Sequence, residues 1–197
     1  LSERNVAPDA EPVDLGHTIE TWYRPLILGL RALEMPVICA VNGVAAGAGA
    51  SIALASDFVL AARSASFIQA FGKLGLVPDA GGTWALPRLV GNARAMGLAM
   101  LGEKLSAEQA ESWGLIWKCV DDDKLAAEAE KLAVHFSTAP TRGLARTKQA
   151  IYASGGNTLE QQLDLERDYQ RELGFGADYR EGVAAFMEKR PARFTGK

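Results

Sequence analysis

Residues 36–67 read PVICAVNGVAAGAGASIALASDFVLAARSASF, and the succession of patterns in this stretch decides the fold. "VICAV" is a short, unbroken apolar run of the kind carried by a strand buried on both faces. "NGVAAGAGA" is built of small residues and reads as a loop, "SIALAS" as a short helix and "DFVLAA" as a second strand, with "SFIQAF" as a third. Strands alternating with helices predict an α/β layered core.

Upstream, "TIETWYRPLILGLRALEM" places Ile19, Trp22, Leu26, Leu30 and Leu33 at helical spacing, with Pro25 to be absorbed as a kink or a boundary and Pro36 ending the helix. The first seventeen residues carry Pro8 and Pro12 without periodicity and read as a loop. Downstream the chain turns helical from Asn92; "ARAMGLAMLG" ends at Gly102, and Ser106 with Gln109 makes a capping box. After a short strand in "LIWKCV", helices are predicted over 124–137, 141–154, 158–173 and 179–189, with a second capping box at Thr158 and Gln161. The expected organisation is an α/β core over 1–135 and a helical region over 136–197.

Of 197 residues, 48% are hydrophobic and 23% charged, which fits a globular protein and excludes disorder. A net charge of −3 offers no basic surface for nucleic acid, and no Lys/Arg block suggests an anionic membrane partner. No apolar run is long enough to cross a bilayer and no signal peptide is read, so a cytoplasmic location is expected. Cys39 and Cys119 lie in apolar runs and read as strand thiols of a reducing compartment. His17 and His135 lack the spacing of paired ligands, so no metal site is expected.

Two loops carry chemistry. In "GAGASI" the third glycine of a dinucleotide fingerprint is replaced by Ile52, and the acid expected about twenty residues on is missing. Small residues at a helix start can instead admit a ligand to the free N–H groups and stabilise an oxyanion. Tight helix-on-strand packing explains the same glycines equally well. In "GLVPDAGGTW", residues 75–84, Asp79 is a single acid among apolar and small residues. It either holds the Gly81–Gly82 turn through main-chain bonds or moves protons from an enclosure that disfavours a charged carboxylate.

Together "PVICAVNGVAAGAGASIALASDFVLAARSASF", "KLGLVPDAGGTWALPRLVGNARAMGLAMLG", "LSAEQAESWGLI" and "DYREGVAAFMEKRPARF" resemble the crotonase, or enoyl-CoA hydratase/isomerase, superfamily over nearly the whole chain. The resemblance implies a ββα spiral core with a helical C-terminal trimerisation region, assembled as a homo-trimer or a dimer of trimers. It implies an acyl-CoA thioester substrate and no cofactor beyond the coenzyme A that the substrate carries. It assigns one oxyanion-hole N–H to Ala48, within Gly47–Gly49, and places the second donor and part of the CoA pocket in a region before Leu1. The isolated chain is therefore expected to lack part of the site.

Two positions that carry water-activating glutamates in the hydratase branch match Ser51 and Phe71, which disfavours hydration. The acid of several isomerase branches matches Asp79. Phe71 and Trp84 are expected to shape the acyl pocket, while Phe186 and Lys189 match positions that cover the adenine and phosphates of a neighbouring subunit's CoA. "LSERNV" and "LDLERDYQRELGFGADYREGVAAF" look most like a branch that isomerises a ring epoxide on an aromatic acyl-CoA. The alternatives are a Δ3,Δ2-enoyl-CoA isomerase of fatty-acid oxidation and a non-catalytic acyl-CoA-binding protein.

Overall fold

The computed structural model describes residues 13–197, so most of the opening segment read as a loop lies outside the described residues. Helix α1 (Leu15–Thr18), capped by the Asp14 carboxylate accepting from His17 N–H, continues through a π-helical turn, Ile19–Tyr23, into α2 (Arg24–Ala32). Pro25 takes the first turn of α2, where its missing N–H is tolerated, so the predicted boundary is a widened turn rather than a stop.

Next come β1 (Ile38–Val41), β2 (Val44–Ala46), α3 (Ala48–Leu54), β3 (Phe58–Ala62) and β4 (Ser66–Ile68). A 3-10 turn, Ala70–Leu74, leads towards α4 (Gly82–Leu101), β5 (Lys104–Ser106), α5 (Ala107–Ser112) and β6 (Lys118–Val120). Helices α6 (Leu125–Ser137), α7 (Thr141–Ser154), α8 (Leu159–Gly174) and α9 (Ala177–Glu188) complete the chain. Thr158 and Gln161 form the reciprocal capping box, and Ser106 accepts from Gln109 N–H.

Strands β1, β3 and β6 form a parallel sheet in the order β1-β3-β6. The second sheet has the order β2-β4-β5, with β4 parallel to β2 and antiparallel to β5. The first two passes, β1-β2-α3 and β3-β4-α4, each contribute one strand to each sheet and then a helix, which is the expected ββα spiral, whereas in the third α5 stands between β5 and β6. Alanines dominate where α3 and α5 meet the sheets: Ala50, Ala61, Ala107 and Ala110 are fully buried beside Leu60 and Leu86.

Three local expectations are corrected. The loop reading of "NGVAAGAGA" hides β2, because the pairing of Val44–Ala46 with Ser66–Ile68 comes from a distant segment. Helix starts at Gly82, ten residues before Asn92, and Gly91 (φ 74°, ψ 163°) breaks it in the middle. Pro87 and the glycine pair disguised that start. Trp117, which as a tryptophan in the apolar run "LIWKCV" is expected in the core, is instead 60% exposed and lies edge-on to Phe58 with ring centroids 5.7 Å apart.

Behind the sheet edge lies a buried ionic network. Lys148 Nζ sits 2.8 Å from Asp57 Oδ2 and also donates to the carbonyls of Leu30 (3.1 Å) and Met35 (3.2 Å). Asp57 accepts in addition from Val37 N–H at 2.8 Å and from the Tyr152 hydroxyl. Burial, reinforced by that bond to Asp57, pushes the Tyr152 phenol well above its usual range and keeps it a donor. The network ties the end of α2 and the entry to β1 onto α7. Lys148→Met strands the Asp57 carboxylate and should cost about 3–5 kcal/mol, whereas adding Asp57→Asn should recover part of the loss; urea unfolding measures both.

Candidate active site

The Gly/Ala loop is fixed from one side by main-chain bonding. Gly47 N–H donates to the Ile68 carbonyl at the end of β4 (2.8 Å), and the Gly47 carbonyl accepts from Ala50 and Ser51 N–H at 3.0 and 3.2 Å. Gly47 stands at φ 55°, ψ −127°, a conformation that needs glycine, and its missing Cβ would lie 3.6 Å from the Phe71 ring. Ala48 is therefore the first residue of α3, where a main-chain N–H has no carbonyl one turn earlier to meet. At Gly49 a Cβ would meet nothing within 4 Å, so tight packing does not explain that glycine.

Asp79 is brought to the same place. Gly82 N–H donates to the Asp79 carbonyl at 2.8 Å, closing a four-residue turn whose middle residues, Ala80 and Gly81, both have positive φ (47° and 81°). This is the geometry of a type I′ turn, and for Ala80 it stores roughly 1–2 kcal/mol of strain. Main-chain bonding closes the turn, so its closure does not require the carboxylate. Asp79 Oδ1 is buried. Above the turn, a Cβ at Gly81 would lie 3.8 Å from Ile27 Cγ2, which places α2 as its roof.

The contact that joins the two loops is at Gly82. A Cβ there would fall 2.7 Å from Ser51 Oγ, 3.1 Å from Pro78 Cβ and 3.7 Å from Gln69 Oε1. The structure thus gathers Gly47, Ala48, Ser51, Phe71 and the Asp79 turn around the start of α3. Gln69, 3% exposed, was not foreseen. A glutamine inside the apolar run "SFIQAF" was the available signal.

The other expected residues lie elsewhere. Trp84, on α4, stacks between the guanidinium groups of Arg31 and Arg88 (4.5 and 4.0 Å) and faces a groove of about 710 Å³ bordered by Asp57, Lys148 and Tyr152. Phe186 projects from the last turn of α9, 82% exposed, beside Tyr179 and Val183. Lys189 ends that helix in the left-handed region (φ 54°). Within one chain neither joins the Asp79 cluster, and α9 packs on α8.

Gly82→Ala forces an overpacked contact and should destabilise the protein by about 1–3 kcal/mol in thermal unfolding. Combining it with Ser51→Ala removes the nearest clashing atom and should make the pair less destabilised than the sum of the single changes.

The family profile described as enoyl-CoA hydratase/isomerase matches residues 14–197. The chain is 61% identical to the 1,2-epoxyphenylacetyl-CoA isomerase of Escherichia coli (strain K12), over 100% of this chain and 75% of that protein. It is 36% identical to the trans-2-decenoyl-acyl-carrier-protein isomerase of Streptococcus mutans serotype c, again over 100% of this chain and 75% of the relative. Among solved structures, an enoyl-CoA hydratase from Polaromonas sp. JS666 superposes with a TM-score of 0.87 at 38% identity, covering 91% of this chain and 70% of that one. An enoyl-CoA hydratase from Bacillus anthracis gives 0.89 at 32% identity, covering 94% and 72%. With the ββα spiral and both loops in place, the chain belongs to the enoyl-CoA hydratase/isomerase family and has the crotonase fold.

Proposed function

We propose that the protein isomerises acyl groups carried as CoA thioesters, with Asp79 moving the proton and the Ala48 N–H holding the thioester oxygen. The observation that carries this reading is the join at Gly82, which sets the Asp79 turn against the start of α3. Proton removal next to a thioester carbonyl builds negative charge on the carbonyl oxygen, and a preorganised N–H donor stabilises it. One carboxylate that takes a proton at one carbon and returns it at another completes a double-bond shift. Ser51 and Phe71 supply no further carboxylate for activating water, which favours isomerisation over hydration.

Identity of 61% over the full chain to a 1,2-epoxyphenylacetyl-CoA isomerase supports a ring epoxide of phenylacetyl-CoA as the substrate, and with it a place in phenylacetate breakdown. Opening the C–C bond shared by the three- and six-membered rings gives a seven-membered oxepin with no atom gained or lost. Asp79 then relocates the α-proton to a ring carbon, bringing the double bonds into conjugation with the thioester. The balance calls for no cofactor beyond the substrate's own coenzyme A. We further propose a homo-trimer or dimer of trimers, in which Phe186 and Lys189 reach a neighbouring subunit's CoA. Among the described residues no helix is long and apolar enough to cross a membrane.

The relative named as a trans-2-decenoyl-acyl-carrier-protein isomerase supports a second reading, a shift of the double bond along a linear acyl chain. Conversion of a 3-enoyl-CoA, followed by the ultraviolet absorbance of the conjugated product, tests the proton shuttle in both readings. Asp79→Asn should lower kcat about 10²–10⁴-fold with the fold intact; an unchanged rate would return Asp79 to a turn residue. Ala48→Pro deletes one N–H at a helix position that accepts proline, and should lower kcat about 10²–10³-fold.

A further inference from the structure

Ser51 and Gln69 are buried to 1% and 3% exposure, yet neither Ser51 Oγ nor Gln69 Oε1 has a hydrogen-bond partner among the described residues. Both crowd the same point, since a Cβ on Gly82 would lie 2.7 Å from the first and 3.7 Å from the second. Their places in the chain put them between the two halves of the site. Ser51 is on α3, three residues beyond Ala48. Gln69 follows directly on Ile68, whose carbonyl holds Gly47, and precedes Phe71, whose ring lies against Gly47. Gly82 in turn closes the Asp79 turn.

An unpaired buried polar group destabilises the protein unless a ligand supplies the missing bond. A straight acyl chain supplies none. An ether oxygen on the acyl group accepts: the Ser51 hydroxyl can donate to it directly, and Gln69 can donate to it through Nε2 once its amide is turned so that the nitrogen takes the place of Oε1. We propose that Ser51 and Gln69 form a polar subsite that binds an ether-type oxygen on the acyl group, the ring oxygen of the epoxide and of its oxepin product. This rests on the ring-epoxide reading above and makes both residues specificity-determining. Phe71 and the α3 backbone bound the subsite, and the oxygen held there orients the ring so that its α-carbon faces Asp79.

The test compares kcat/KM for the ring epoxide of phenylacetyl-CoA with kcat/KM for a 3-enoyl-CoA lacking the oxygen, in the unaltered protein, Ser51→Ala and Gln69→Leu. Each substitution should shift the ratio against the epoxide roughly 3–10-fold, the worth of one neutral hydrogen bond. Each should leave the melting temperature level or raise it, because an unsatisfied buried group is removed. A residue that merely supports the fold would lower stability and both rates together; that result, or an unchanged ratio, overturns the subsite while leaving the isomerase reading standing. If the unaltered protein converts the 3-enoyl-CoA but not the epoxide, the substrate reading fails and the subsite with it. Should Gln69→Leu not fold, Ser51→Ala carries the same comparison.

Discussion

The site depends on how closely two helix starts approach one another. Helix α4 begins so near Ser51 of α3 that residue 82 has no space for a side chain. Glycine there lets the Asp79 turn lie against the residues that open α3, and any larger residue would drive the two apart. The same approach explains the alanines of α3, since Ala50 and Ala53 are buried where longer side chains would hold the helix off the sheets. Main-chain bonding then fixes the orientation: Gly47 is pinned to the end of β4, and Gly82 to the Asp79 carbonyl.

Helix α2 closes the arrangement from outside, with Ile27 over Gly81. What holds α2 in place is remote from the site. The Lys148 ammonium uses its donors on Asp57 and on two carbonyls at and beyond the end of α2, while Asp57 grips the start of β1 through Val37. Desolvation offsets much of the attraction in such a pair, so its contribution is more to geometry than to net stability. The chain segment that roofs the Asp79 turn is thereby tied to α7, more than a hundred residues away in sequence.

The alternation of strands and helices, and the importance of the two glycine-bearing loops, were legible because they rest on local patterns. Helices α7 and α8 were legible within a residue at each end for the same reason. Three things were not. Strand β2 is only Val44–Ala46, and its character comes from pairing with β4 rather than from β-branched residues of its own. The first half of α4 contains Pro87 and opens on a glycine pair, both local signals against helix, which packing against α3 overrides. The partners of Asp57 lie across long chain separations, and no local pattern marked Lys148 as buried, since Ile151 on the following turn is exposed. In the site, Ser51, Phe71 and Asp79 acquired roles only through the family resemblance. Gln69 acquired its place only from three-dimensional proximity to Gly82.

Two buried polar clusters in this chain differ in a way that separates scaffold from site. Around Lys148 the charges are met: the ammonium has a carboxylate and two carbonyls, and the carboxylate has a main-chain N–H and a phenol as well. Around Gly82, Ser51 and Gln69 keep oxygen atoms unpaired among the described residues, and Ala80 holds a backbone conformation that glycine would adopt without strain. Each unpaired group costs about 1–3 kcal/mol, and a strained residue of this kind adds a similar amount. Selection for stability alone would put leucine at 69 and glycine at 80, because both changes are chemically simple and locally permitted. Gln69 beside Gly82, and Ala80 next to Asp79, are what a site looks like when its groups are arranged for a molecule other than the protein itself.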